Sequence, residues 1–377
     1  MKIAYLANSI IPSRTANSIH VMKMCQAFAK NGHDVVLLVP NRYSEEESVD
    51  NVYSFYGVDD CFEIKKMPFK KIKYAGMVYK SLHILNVLGS IKPDFVYSRD
   101  LPSCTFVAMK NYDTFLELHQ PLISKVNSMF FKLLIKQKNF KKLIVISNPL
   151  KDIFSNNYSL ADNYIRILPD GADEVYDFSP IIDWPGKNDN LQVGYVGHLY
   201  KGKGIEVIEN ICHMSSDVDF HIIGGLDEDI KYWKNRINSN NVTFHGFVPQ
   251  SKLSYYINSL DVCLLPNQKT ILPHGAKSNK SNISDFTSPL KMFDYMAHKK
   301  AIVASDLPVL KEVLNHNNAV LVDPEKPDEW IDAIEKLKDK HLRERIGKYA
   351  YDDLRKNYTW SMRAQQILKI YNGHYSQ

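Results

Sequence analysis

The stretch Asp285-Phe-Thr-Ser-Pro-Leu-Lys-Met-Phe-Asp-Tyr-Met-Ala297 begins as a turn and ends as a helix. Ser288 is a good N-cap, and Pro289 suits the first helical position, where its missing N–H costs nothing. The amides of Leu290 and Lys291 are then free at the positive end of the helix dipole, which makes the helix start a candidate anion site. Lys291 can pair with the anion's charge. Asp294 follows Lys291 by one turn and shares its side of the helix. Because helical side chains lean toward the N-terminus, Asp294 is placed to accept hydrogen bonds from ribose hydroxyls beside a phosphate. Met292, Phe293 and Met296 form the core side. A capped amphipathic helix with no ligand has the same local pattern, so the rest of the chain must decide between the two.

Strand-like Val262–Pro266 precedes this stretch and Ala301–Ser305 follows it. Strand, helix and strand in that order build parallel sheets. The alternation continues to both ends of the chain. In the second half, Gln192–Gly197, Asp219–Ile223, Val242–Phe247 and Ala319–Val322 are further strands, and helices are expected to start near Lys203, Glu228, Ser251, Pro308, Pro327 and His341. In the first half, strands are expected at Lys2–Ala7, Asp34–Pro40, Phe62–Met67, Asp94–Ser98, Thr114–His119, Leu143–Ser147 and Ile165–Pro169. The helices there are His20–Lys30, Ala75–Ser90, Leu122–Phe140 and Pro149–Asn156, with 41–61 irregular. Tyr176–Asn190, carrying Pro180, Pro185 and Gly186, reads as a linker. The expected fold is therefore α/β, with two doubly wound Rossmann-like domains at about residues 1–180 and 181–357. Ligands in such sheets bind beyond the carboxyl ends of the strands, so facing domains enclose a central cleft. Asn267–Asp285 is long and polar, as expected of a mobile loop over that cleft.

A chain of 377 residues is long enough for two or three cores. The five cysteines are scattered, odd in number and without metal-type pairs, which favours a reducing cytosol. The N-terminus runs straight into strand-like sequence, and no apolar run suits a signal peptide or a membrane span. The net charge of +5 is uneven. Residues 1–150 hold 20 Lys and Arg against 12 Asp and Glu, while residues 151–377 hold 27 against 30. The basic residues cluster at Lys65, Lys66, Lys70, Lys71, Lys73 and Lys80, and again at Lys132, Lys136, Lys138, Lys141 and Lys142, interleaved with Phe69, Tyr74, Met77, Tyr79, Met129 and Leu133. Basic residues beside an apolar face suit an anionic membrane surface, and imply a protein peripheral to the inner face of the plasma membrane. A solvated helix face gives the same pattern. Nucleic acid is not expected, since no recognised motif accompanies the charge.

Each domain's first strand ends in a loop able to approach a phosphate. In the first, Ser13-Arg-Thr-Ala16-Asn17-Ser18 leads into a helix; small residues admit a ligand and the helix start supplies amides. It lacks a Gly-x-Gly dinucleotide fingerprint. In the second, Gly194-Tyr-Val-Gly197-His198-Leu-Tyr-Lys201-Gly-Lys203-Gly204 runs from strand to helix. Its glycines permit positive φ, and His198 and Lys203 flank the turn as two donors for a diphosphate. His119 ends a strand in Glu117-Leu-His119, where a polar side chain faces the ligand edge; most lone histidines are structural, and Glu117 shares the ambiguity. No nucleophile elbow, His-Glu-x-x-His pair, Walker loop or Asp-x-Asp metal motif occurs, so the charge on a leaving diphosphate would fall to lysines, histidine and helix dipoles.

In order along the chain, Ser18-Ile-His20-Val with Gly32-His-Asp-Val35, Glu117-Leu-His119, Leu168-Pro-Asp-Gly-Ala-Asp173, the Gly197–Gly204 loop, Val242-Thr-Phe-His-Gly-Phe-Val-Pro249, Asp261-Val-Cys-Leu-Leu-Pro266 and Ser288–Ala297 resemble the retaining, metal-independent GT-B glycosyltransferases of family 4. The resemblance implies that the second domain holds a UDP- or GDP-sugar, with no cofactor and no metal. It implies that Lys203 and His198 grip the diphosphate, His198 standing where the family usually has Arg. It implies that Asp294 takes the ribose and that backbone near Phe247 and Val248 takes the base. Asp294 matches the second carboxylate of the family's Glu-x7-Glu motif; the first falls at Phe286, a departure. Asp285, Phe286, Thr287 or amides near Ser288–Lys291 would then meet the donor sugar. His119 would lie beside that sugar, and Ala16, Asn17 and Ser18 under the phosphates. The helix from Tyr358 to Tyr371 would return to the first domain. The activity implied is sugar transfer with retention, His119, Lys203 and Asp294 carrying it, to a glycan or lipid-linked acceptor of bacterial surface polysaccharide assembly. A nucleotide-sugar epimerase of the same fold, a non-catalytic scaffold subunit and a nicotinamide-dependent dehydrogenase are the alternatives.

Overall fold

The computed structural model describes every residue except 43–48, 71, 180–181, 185–188, 272–281 and 374–377, and the side chains of Lys73 and Tyr74. The chain forms two compact units, Met1–Pro169 with Trp360–Gln377, and Asp170–Thr359. The boundary between them falls after Pro169, where residue 180 was expected.

The first unit contains β1 (Lys2–Leu6), α1 (Ala16–Lys30), β2 (Asp34–Pro40), α2 (Val52–Phe55), β3 (Glu63–Met67), α3 (Lys73–Ile91) and β4 (Phe95–Ser98). It continues through α4 (Leu101–Ala108), β5 (Thr114–Leu118), α5 (Lys125–Leu134), β6 (Phe140–Val145), α6 (Asn148–Tyr158) and β7 (Ile165–Ile167). The seven strands are parallel, in the order β3-β2-β1-β4-β5-β6-β7. The order reverses between β1 and β4, which is where an open α/β sheet presents a ligand crevice. Leu6, Val36 and Leu38 face α3 and α4 through Ile84, Leu88 and Val107. On the other face, Tyr97 and Phe95 meet Phe28 of α1, Tyr5 meets Tyr97, and Phe95 and Phe115 meet Tyr371 of the chain's last helix.

The second unit runs β8 (Leu191–Val196), α7 (Ile205–Ile211), β9 (Val218–Ile223), α8 (Asp227–Arg236), β10 (Val242–Gly246), α9 (Gln250–Asn258) and β11 (Val262–Leu265). Then come α10 (Leu290–Ala297), β12 (Ala301–Ser305), β13 (Val320–Val322), α11 (Pro327–Lys336) and α12 (Lys340–Asn357). The last helix, α13 (Trp360–Gly373), belongs to the first unit. The six strands are parallel, in the order β10-β9-β8-β11-β12-β13, so this sheet reverses between β8 and β11. One face packs on Leu253, Met292, Phe293, Ala350 and Leu354 of α9, α10 and α12; the other packs on Ile205, Trp233 and Trp330 of α7, α8 and α11. Trp184 anchors the linker to this unit, stacking on His221 at 4.0 Å and donating to the Ser259 carbonyl at 2.6 Å.

Several boundaries differ from expectation for visible reasons. Helix α1 starts at Ala16, ahead of His20, because Thr15 caps it by accepting from the Ser18 amide. Helix α5 stops at Leu134, and Phe140 already pairs with β5. No helix forms at Pro308, where Leu310–Glu312 makes one 3₁₀ turn. Helix α4 was not expected at all. The Asn267–Asp285 loop lies in part outside the described residues, as do parts of the 41–61 segment and of the linker.

Three lysines of the expected basic face of residues 65–80 are engaged within the protein. Lys80 is buried, 2.6 Å from Asp100, and Lys66 donates to the Ile11 carbonyl. Lys65 pairs with Glu63 at 3.1 Å. In the later cluster, Lys141 pairs with Asp113 and Lys142 donates to the Asn163 carbonyl. Lys70 is exposed, and Lys71 and the side chains of Lys73 and Tyr74 lie outside the described residues. Along and just after α5, Lys125, Met129, Lys132, Leu133 and Lys136 line a shallow surface groove. Met129 is 52% and Leu133 41% exposed. No described helix is long and apolar enough to cross a membrane.

Candidate donor site and the Glu117 cluster

The second unit's reversal point brings two lysines together. Gly197 follows β8 with a φ of +134° that suits glycine, and it leaves room for a lysine: a Cβ there would lie 2.9 Å from the Lys291 Nζ. The loop re-enters as α7 through Gly204, at φ +91°, where a Cβ would lie 1.9 Å from the Pro266 carbonyl oxygen. That close approach joins the loop after β8 to the end of β11. The Tyr295 hydroxyl accepts from the Val196 amide at 2.8 Å and so fixes α10 against the end of β8. Lys203, on the β8 loop, and Lys291, in the first turn of α10, therefore converge at the crevice.

Helix α10 begins one residue later than expected. Pro289 is its N-cap, with φ −69° and ψ 120°, and Ser288 does not cap it. The Ser288 hydroxyl instead accepts from the Asp170 amide at 3.0 Å. The first-turn amides of Leu290 and Lys291 are still those of a helix start; the Met292 amide is taken by the Pro289 carbonyl. On α10, Lys291 and Asp294 are half-buried whereas Met292, Phe293, Tyr295 and Met296 are buried, so the two polar residues share the open side.

The Lys291 ammonium end is shielded from solvent, has no hydrogen-bond partner among the described residues, and lies 3.6 Å from the centroid of the Tyr195 ring. Burial, then the neighbouring Lys203 charge, holds its pKa well below the ordinary lysine value. Burial also lowers Lys203, to about 8. Two lysines this shielded, with no carboxylate partner among the described residues, form a site suited to receive negative charge. The His198 carbonyl accepts from the Tyr195 hydroxyl at 2.6 Å, and its ring lies 5.8 Å from that of Tyr200. Phe247 is half-buried at the end of β10, and the Val248 side chain is in the core. Asp285, Phe286 and Thr287 lie in and after a 3₁₀ turn, Ser284–Phe286, where Asp285 accepts from Ser284 at 3.3 Å.

In the first unit, Ala16 and Asn17 are exposed at the start of α1. The buried Ser18 hydroxyl is engaged with Ser13 and Thr15. His119, at the carboxyl end of β5, places Nε2 2.6 Å from Glu117 Oε1 and remains 20% exposed. Glu117 is fully buried and is the hub of a cluster. Its Oε1 accepts from Arg363 at 2.7 Å and lies 3.1 Å from His20 Nε2, and its Oε2 accepts from Tyr97 at 2.6 Å. Burial alone would raise this carboxyl, but Arg363, His20 and the hydrogen bond to His119 overcome it and hold it well below the usual range. The His20 ring meets those of His119 and Trp360 edge-on, at 4.9 and 5.1 Å. Ligand atoms of His20, Glu117 and His119 lie within 4.8 Å of one another, as a metal site would need. The Glu117 oxygen that a cation would use already accepts from the Arg363 guanidinium. Neither Arg363 nor Tyr97 carries a local sequence signal; both lie far from Glu117 in the chain.

Residues 18–175 match the model described as Glycosyltransferase Family 4, and residues 190–340 match Glycosyl transferases group 1. An uncharacterized glycosyltransferase of Methanocaldococcus jannaschii is 24% identical over 408 residues, covering 98% of each chain. Among solved structures, sucrose-phosphate synthase from Thermosynechococcus elongatus superposes with a TM-score of 0.72 at 16% identity, over 100% of this chain and 99% of that one. HepE of Anabaena in complex with UDP gives 0.72 at 14% identity, over 99% and 100%. These structural likenesses carry the fold, and the family models carry the activity class. The chain belongs to the GT-B glycosyltransferases of family 4.

Proposed function

We propose that this glycosyltransferase moves a hexose from a nucleoside-diphosphate sugar to a hydroxyl of a glycan or lipid-linked acceptor, retaining the anomeric configuration, in bacterial surface polysaccharide assembly. The observation that carries the donor class is the convergence of Lys203 and Lys291, both shielded, on the reversal point of the second sheet. A diphosphate brings the charge this site lacks. The helix start at Leu290–Lys291 adds its amides and dipole, and Asp294 on the same side takes the ribose. As the sugar–phosphate bond breaks, charge on the departing oxygen is met by Lys203, Lys291 and the helix start, with His198 beside them. No metal is required for that neutralisation.

The acceptor hydroxyl attacks from the face the diphosphate leaves, and the departing phosphate takes its proton. No enzyme nucleophile takes part. His119, fixed by Glu117 with one side open, contacts the donor sugar. Asp285 and the backbone at Phe286–Thr287 supply sugar contacts where the family's first glutamate is replaced. UDP is the first base to test, since HepE was solved with UDP. The exposed lysine and methionine face of α5 supports an acceptor held at an anionic membrane.

The test is thermal unfolding against UDP, GDP and their sugars in the presence of a chelator. Ligands that bind the native state raise the melting temperature by mass action. The expected result is a shift with one nucleotide, unchanged by the chelator, and turnover with the sugar that shifts it most. Binding without turnover on any acceptor would favour a scaffold role, and no shift at all would remove the donor site.

A further inference from the structure

Lys291 has more burial than a phosphate ligand needs and fewer partners than a structural lysine needs. Its Nζ is shielded and without a hydrogen-bond partner among the described residues. The groups that face it are few. From β8 comes the Tyr195 ring, 3.6 Å away, and from the loop ahead of α7 comes the second cation, Lys203. On its own helix are Tyr295, whose hydroxyl accepts from Val196, and Asp294, one turn on. Glu206, in the first turn of α7, bears on Tyr195 and makes no ion pair with Lys291. An ammonium over the Tyr195 face gains cation–π attraction, which offsets only part of its desolvation. Burial of an unpaired ammonium is unfavourable, and the second cation adds to that cost. The balance favours the neutral amine until an anion arrives.

We propose that Lys291 is a charge-on-demand ligand: neutral in the empty site, it takes a proton from solvent when a nucleoside diphosphate binds, so that donor binding and proton uptake are one event. This rests on the donor site argued above. The amine lone pair accepts the proton and no other bond changes. The arrangement lets the empty site avoid two adjacent buried cations and still present two to the diphosphate. Sugar monophosphates and neutral sugars, which bring less charge, gain less from the same step.

Isothermal titration calorimetry of the full chain with UDP and with GDP tests it, at about pH 7.5 in two buffers of different ionisation enthalpy. The wild type is expected to take up about one proton more per bound nucleotide than Lys291→Met, and its affinity to weaken by up to about tenfold per pH unit as pH rises. Lys291→Met should bind more weakly, with that pH slope flattened. Lys291→Arg, which stays charged, should bind without the extra uptake, and it keeps the question decidable if the methionine variant folds poorly. Tight binding by the wild type with no proton uptake, or undiminished uptake in both variants, overturns the proposal and leaves the donor site intact. Failure of both nucleotides to bind at any pH removes the donor site itself.

Discussion

Arg363 donates to Glu117 at 2.7 Å, with both side chains buried, and so ties the chain's last helix to the fifth strand of the first sheet. Arg363 also donates to the carbonyls of Leu168 and Pro169. Removing it would leave a carboxylate with no counter-charge in the core. Arg363→Leu is therefore expected to cost about 3–5 kcal/mol in chemical denaturation, against less than 1 kcal/mol for the exposed pair Lys340–Glu344.

The same pair sets a pH limit. Glu117 has a folded pKa below its unfolded value. Its contribution to stability is thus fully present above about pH 4.3, the usual glutamate value, and is lost as pH falls through the lower folded value. Stability of the wild type should drop steeply on acidification below about pH 4. A melting temperature that is flat through that range would show that the ion pair contributes little.

Lys203 and Lys201 are two residues apart in one loop, yet Lys201 is exposed and Lys203 is shielded. If Lys203 meets the diphosphate, Lys203→Ala should lower kcat/KM by roughly 100-fold or more, in line with loss of one charge-stabilising donor. Lys201→Ala should change it less than about threefold, as expected of a solvated charge. Equal losses would argue that the loop matters only through its shape.

Asp294→Asn keeps the size of the side chain and removes its charge. Loss of a charged acceptor to a ribose hydroxyl is worth about 1.5–3 kcal/mol. The donor KM should rise roughly tenfold or more, with kcat changed much less, since the ribose contact is shared by ground and transition states. A fall in kcat at constant KM would instead place Asp294 at the reacting centre.

Much of this architecture was legible in the sequence because strand and helix periods alternate without interruption, and loops such as Gly197–Gly204 announce themselves by their glycines. What stayed hidden depends on distant partners. Glu117 is ambiguous until Arg363, 246 residues on, is placed beside it. Lys80 looks like part of a basic face until Asp100 pairs with it. Ser288 has the right identity for an N-cap, but the Asp170 amide uses its hydroxyl, and the helix starts one residue later. Helix α4 was missed because its eight residues are nearly all apolar, with no amphipathic period to read.

With Lys65, Lys66, Lys80, Lys141 and Lys142 engaged within the protein, α5 offers a described basic and apolar face for membrane contact. Lys125, Lys132 and Lys136 surround Met129 and Leu133 on one exposed side. Such a face combines apolar insertion with attraction to anionic lipid, each basic residue adding about 1 kcal/mol near the surface. The protein should sediment with phosphatidylglycerol vesicles, stay in solution with phosphatidylcholine vesicles, and be released by about 1 M salt, where the screening length is about 3 Å. Met129→Ser with Leu133→Ser should weaken attachment at low salt while leaving activity on a soluble acceptor analogue unchanged. Lys66→Gln should leave attachment unchanged, because Lys66 is turned toward the Ile11 carbonyl. Attachment that resists salt, or that survives loss of the α5 face, would move the acceptor's anchor elsewhere on the protein.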